Sequence, residues 1–285
     1  MNIALDSDIS AVDYNGTDVA AVEFNGVEVW RKASPTPVEP DTWDDKTWTG
    51  LNSFRGDYIW TDGTNIYYSN STDQYILNES TSAWSTKTWS NVTNLDGSRI
   101  WTDGNNTYYS NGSVQKVLNK TTGEWDDKTW TGLNSFRGDY IWTDGNNTYY
   151  SNNTTQYILN KTTGEWDDKT WTGLNSFRGD CIWTDGTNIY YSRTLVQKVL
   201  NKTTGEWDDK TWTGLSQFGG VDVWTDGTNI YYSNSTTQYI LNKTTGEWDD
   251  KTWTGLTSYF GKFVWRNTNN CYYSYPDAQY ILVKV

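Results

Sequence analysis

The sequence has no histidine, one methionine, four prolines and two cysteines among its 285 residues. Without histidine the commonest general base is missing, and no nucleophile stands paired with a base, so no catalytic residues are expected. Metal-ligand spacing is absent as well, and neither metal nor cofactor is expected. Lys and Arg number 22 against 35 Asp and Glu, for a formal net charge of −13, and no basic cluster interrupts the acidic background. A phosphate-neutralising surface is thereby excluded, and with it a nucleic-acid partner. No stretch approaches the ~18 apolar residues of a membrane span, so membrane insertion is not expected. The opening MNIALDSDIS has neither a basic flank nor an apolar run, so it does not read as a signal peptide. No ten-residue helical pattern occurs either. What the chain does hold is 19 Trp and 21 Tyr set among Gly, Asn, Thr and Ser, which is the composition of an all-β protein built around aromatics.

The aromatics fall in columns. The Trp ahead of each TDG-like turn recurs as Trp60, Trp101, Trp142, Trp183, Trp224 and Trp265, a constant step of 41 residues. Two further series, Trp43 to Trp248 and Trp48 to Trp253, keep the same step, and a period near 40 with four strands per unit is that of a β-propeller. One unit reads as strands around Tyr140–Thr143, Thr148–Ser151, Gln156–Asn160 and Glu165–Trp171, with Asp144-Gly145 as a hairpin signal. The segment Thr42–Trp48 is a fourth strand without its first three, and the chain ends on three strands without a fourth. Pairing the two closes a ring and removes the edges of an open array. The expected fold is a six-bladed β-propeller over residues 42–285, preceded by a small β-meander at 1–30 and a Pro-containing linker at 31–41. Cys181 stands where other units carry Tyr58 and Tyr140, and Cys271 where they carry Ile66 or Thr107, so both are expected as free thiols in packed strands.

Asn160, Thr163 and Trp166, spaced i, i+3, i+6, resemble the Asp, Thr, Trp series of kelch repeats, although the Gly pair of that family is missing where Tyr149 to Asn152 stand. The meander, with Asn-Gly turns at Asn15 and Asn25, is too short to be stable alone and needs a partner. Its YNGTxV and FNGVxVW pattern is similar to small modules at the ends of bacteriophage tail and other virion structural proteins. That resemblance implies an anchor, through Tyr14, Val22, Phe24 and Trp30, to the subunits of a virion made in the host cytoplasm.

Asp126 and Asp127 read as solvated outer-strand charges, because adjacent strand residues point to opposite faces. The RGD triplets at Arg55, Arg137 and Arg178 are set by a Gly that all six units carry, and the Asn119, Asn160, Asn201 and Asn242 sequons read as Asx turns. Trp142 and its equivalents are expected in the core, with the outer-strand Trp125 series more open to a role in sugar stacking. The units differ mainly in the turns between second and third strands and in the connections from blade to blade, two loop sets that share one face of an antiparallel ring. Arg55, Arg137, Arg178, Arg193 and Tyr275 lie in these variable loops and are the expected ligand-binding residues, the arginines suiting carboxylates or acidic sugars. The leading expectation is a non-enzymatic tail or fibre protein that attaches to a cell-surface ligand, a glycan. Alternatives are a decorating virion protein, a kelch-like scaffold for protein partners, or an engineered repeat chain.

Overall fold

A computed structural model describes residues 13–14, 17–18, 21–24, 27–31 and 41–284. The chain divides into two compact units, 1–40 and 41–284. In the first, Asp13–Tyr14 pairs antiparallel with Thr17–Asp18 and Ala21–Phe24 with Val27–Arg31, while the expected Asn-Gly turns at Asn15 and Asn25 lie outside the described residues. Among the described residues these are two separate two-stranded sheets, and the second strand of the latter extends to Arg31. Linker residues 32–40 and the side chains of Tyr14, Val22, Phe24 and Trp30 lie outside the described residues.

The second unit is a ring of six antiparallel sheets. One blade runs outward through Ile141–Thr143, Thr148–Asn153, Thr155–Asn160 and Glu165–Asp168. In the sixth, Val264–Arg266, Cys271–Tyr275 and Ala278–Val283 are completed by Thr42–Asp45, with Val283 opposite Thr42 and Tyr280 opposite Asp45. Strands from both ends of the ring thus build one sheet, as the offset of the repeats requires. Each innermost strand is preceded by a three-residue 3-10 turn, such as Gly138–Tyr140. The six turns touch in succession and the sixth touches the first, which closes the ring at its axis. No helix among the described residues is long and apolar enough to cross a membrane.

Two local expectations need correction. Tyr140 and Cys181 lie in 3-10 turns rather than strands. The outermost strand stops at Asp168, so Trp171 sits beyond it. The TDG segment does form the expected hairpin: Thr143 pairs with Thr148 across a four-residue loop, in which Asp144 Oδ1 accepts from the backbone of Asn146 and Asn147 at 2.8 and 2.6 Å. Only Gly145 adopts positive φ there, at 95°. The aspartate side chain, rather than two left-handed residues, organises the turn.

The outer-strand tryptophans prove the most deeply buried series, with Trp125 at 0% exposure against 7% for Trp142. The outermost strand turns its Trp into the gap between blades. Trp166 lies 6.0, 5.9 and 5.4 Å from Trp101, Trp130 and Phe136 of the preceding blade, in tilted or edge-on geometry. These rings are core, and not a platform for sugars. The Trp142 series adds a polar tie, because each indole Nε1 donates to a buried serine, Trp142 to Ser151 at 2.9 Å. Each of these tryptophans also stacks on a tyrosine of the second strand, Trp142 on Tyr149 at 4.4 Å.

The glycine shared by all six blade entries is required for a reason other than backbone angle. Gly138 is not among the positive-φ residues, but a Cβ placed on it would stand 2.0 Å from the carbonyl oxygen of Arg99 in the preceding turn. Close approach of successive turns, and not φ, demands glycine here. Both cysteines are free and buried. Burial pushes the Cys181 thiol up to about 12 and the Cys271 thiol up to about 11.

Candidate functional site

The two ends of the ring differ in chemistry because they are made by different turns. On one, the loops within the TDG segments and the Asn160-type turns are near copies and brace each other. Asn160 Oδ1 accepts from the backbone of Thr162 and Thr163, an Asx turn as expected, and Lys161 Nζ donates to the Asn146 carbonyl at 3.1 Å. Asp144 also accepts from the Tyr149 hydroxyl at 2.8 Å. Burial raises the pKa of this carboxyl, but its backbone, Asn147 and Tyr149 donors outweigh burial and hold it below the ordinary aspartate value. Asp126 and Asp127 lie exposed on the outer strand, and Lys116 meets Asp127 at 2.7 Å.

The other end carries the variable loops. Leu95–Asp96, leading into the second blade, pairs with Ser71 and Asn70 at the end of the first blade's second strand, and Phe136–Arg137, Phe177–Arg178, Phe218–Gly219 and Tyr259–Phe260 repeat this pairing. Blade connections and second-to-third-strand turns therefore share one face. The backbone hydrogen bonds that place them are independent of side-chain identity, so these loops can vary without loss of the ring.

Arg55, Arg137 and Arg178 are brought to this face near the axis, yet each is already engaged. Arg55 meets Asp57 at 2.6 Å and Arg137 meets Asp139 at 2.5 Å, while Arg178 pairs with Asp180. The Arg and Asp of each RGD triplet thus bind one another. The guanidinium groups also lie over aromatic rings, Arg55 above Phe263 at 5.0 Å and Arg178 above Tyr140 at 5.0 Å. These contacts explain the arginines as stabilisers of the connections. Burial pushes the carboxyls of Asp57 and Asp139 upward despite their arginine partners. Arg193 and Tyr275 lie on the same face and are exposed.

Exposed apolar residues, of which only Tyr275 was among the expected ligand-binding residues, give this face a second character. Of seven exposed large hydrophobic residues among those described, Val114, Leu195, Val196, Val221, Phe260 and Tyr275 belong to it, and only Val283 does not. In the sixth blade Phe260, Phe263 and Tyr275 gather about Lys262. Phe263 lies 6.3 Å from Phe260 and 5.0 Å from Tyr275, and Lys262 Nζ lies 5.1 Å from the centre of the Phe263 ring. A cleft of about 420 Å³ opens among them. The signal was present in the repeats: Phe260 and Lys262 stand where three other blades carry Arg and Asp.

No protein-family model matches the chain, and no curated protein matches it. Among solved structures it is similar to a protein described as the extracellular domain of a one-component system from B. thetaiotaomicron, at 10% identity and a TM-score of 0.55, over 85% of this chain and 39% of that one. It is also similar to YjhT, at 11% identity and a TM-score of 0.55, over 84% of this chain and 96% of that one. The chain therefore spans well under half of the first of these structures. At such identities the likeness is one of fold, a six-bladed β-propeller.

Proposed function

We propose that the chain is a non-enzymatic attachment protein of a virion, in which residues 1–30 join the particle and the variable face of the ring binds a cell-surface glycan. The observation that carries this reading is the concentration of exposed apolar side chains on that face. Six large hydrophobic residues lie exposed where the repeats diverge, against a background of near-identical polar turns on the other. Loops that vary on a rigid scaffold are where recognition resides, and exposed apolar residues gathered on one face mark a contact surface. The resemblance of the kelch-like Asn160, Thr163, Trp166 spacing adds no ligand to this reading. The resemblance of the first residues to modules of tail proteins supplies the particle. Several copies on one particle give weak single sites useful avidity.

The test is binding of the full chain, multimerised on beads, to bacterial surface polysaccharides. Beside it is run a variant that restores the residues of other blades on the face: Arg193→Asn, Leu195→Thr, Val221→Asp and Tyr275→Asn. The reading predicts binding by the native chain and its loss in the variant with the fold intact. Equal binding by both would remove the face from recognition, and binding to virion subunits alone would make the chain a decorating protein.

A further inference from the structure

The sixth blade differs from the rest in a way that points to a particular ligand chemistry. At the middle of its 3-10 turn the first, third and fourth blades carry Asp57, Asp139 and Asp180, the second Ser98 and the fifth Val221. Only the sixth carries a cation, Lys262. Among the described residues no carboxylate lies within ion-pair distance of it, whereas Arg55, Arg99, Arg137 and Arg178 each have an aspartate partner. Asp57 and Asp222 face it from the neighbouring blades without closing a pair.

The cleft beside Lys262 holds no acidic residue in its lining, although the chain as a whole carries a net charge of −13. Five of its lining residues are aromatic: Tyr259, Phe263 and Tyr273 are buried, and Phe260 and Tyr275 are 36% and 45% exposed, with Leu256, Ser258 and Ala278 completing the lining. The other five blades carry no ring at either of the two exposed positions. Inclined to one another rather than coplanar, at 81° for Phe260 on Phe263 and 49° for Tyr275 on Phe263, these aromatics form an angled apolar corner whose ring faces can each meet the C–H face of a pyranose. A volume of about 420 Å³ lies within the small-ligand range and suits a single sugar ring with its substituents.

We infer that this cleft binds a sugar unit bearing one carboxylate, a hexuronate, with the pyranose against Tyr275 and Phe260 and the carboxylate on the Lys262 ammonium. Within the glycan-attachment reading, on which this inference rests, the sixth blade is the subsite that reads charge. A monoanion suits a cation that has no carboxylate partner, Arg55, which also lies over Phe263, being paired with Asp57, and the neighbouring aspartates repel a polyanion.

The experiment uses the full chain and two probes, methyl β-D-glucuronide and methyl β-D-glucoside, with saturation-transfer NMR and titration. The expected result is a glucuronide affinity at least tenfold above that for the glucoside. That affinity falls at least tenfold in the Phe260→Arg, Lys262→Asp double variant, which restores the connection of the first, third and fourth blades and so is compatible with the fold. A second variant, Tyr275→Asn, loses binding of the sugar while leaving the cation in place. Equal affinity for the two probes, absence of glucuronide binding, or glucuronide binding unchanged in both variants would overturn the inference. If any of these occurs while the native chain still captures polysaccharide on beads, attachment stands and this subsite falls. If the beads capture nothing either, both fall.

Discussion

Trp43, in the first strand of the ring, is the cross-strand partner of Leu282, in the last, and its indole is 1% exposed between Trp224, Trp253 and Tyr259. The strand that closes the ring is therefore also a wedge between the fifth and sixth blades. Trp43→Ala removes ring contacts and leaves a cavity, with an expected loss of about 3–5 kcal/mol in chemical denaturation. Because it also loosens the closure, hydrogen exchange should rise first in 42–45 and 278–283. Uniform exchange across all blades would show that closure is not the weak point.

The second repeat is worn at a position where the cost can be read. Asn91 stands where other repeats have a glycine and adopts φ 64°. The neighbouring inter-blade bond, Trp125 N to Ser90 O, is 3.3 Å, whereas its counterpart Trp166 N to Thr131 O is 2.9 Å. Val92 and Leu95, replacing Leu and Phe, line a cavity of about 350 Å³ nearby. Asn91→Gly should stabilise by about 0.5–1 kcal/mol. The reverse change, Gly132→Asn, should destabilise by more, since a Cβ there would meet the Trp166 carbonyl at 1.9 Å. Thermal unfolding of both variants decides the matter.

Ser151 is fully buried and exists to accept from Trp142 Nε1. Ser151→Ala leaves the indole N–H without its acceptor, and the expected loss is about 1–3 kcal/mol by denaturant titration. A neutral result would mean that the contact follows from packing alone.

Two groups of aspartates give stability opposite pH slopes. Asp62, Asp103, Asp144, Asp185 and Asp226 have folded pKa values below 3.8, so their contribution is present above that pH and is lost as pH falls through the lower folded values. Burial raises Asp57, Asp139 and Asp222 above 3.8, so the folded state gains from their protonation as pH falls toward that value. Thermal stability should therefore rise as pH falls toward 3.8 and then drop as pH falls below it. Changing Asp57, Asp139 and Asp222 to Asn should remove the rise and leave the drop.

The ring was legible because its evidence is periodic: the constant step of Trp142 and its equivalents and the offset of Thr42–Asp45 need no knowledge of contacts. The depth of Trp125 was not legible, since an outer strand reads as peripheral until a neighbouring blade is placed against it. The need for Gly138 was legible from its recurrence but its cause was not, because the Arg99 carbonyl that excludes a Cβ is 39 residues away in sequence. Among the expected ligand residues, the shared face of Arg55, Arg137 and Arg178 could be read from strand alternation. Their pairing with Asp57, Asp139 and Asp180 two residues on depends on the 3-10 turn, which carries no composition signal. Lys262 was visible as a departure from the repeat, but its meaning emerged only when Phe263 and Tyr275 were seen beside it.

The account rests on the two ends of the ring having different work, and hydrogen–deuterium exchange of the full chain with and without bound bacterial polysaccharide tests that directly. Protection is predicted in 193–196, 219–221, 260–263 and 274–277, with none in the 144–147 and 160–164 turns of the constant end. Protection confined to the constant turns, or polysaccharide bound with no protection at either end of the ring, would contradict it.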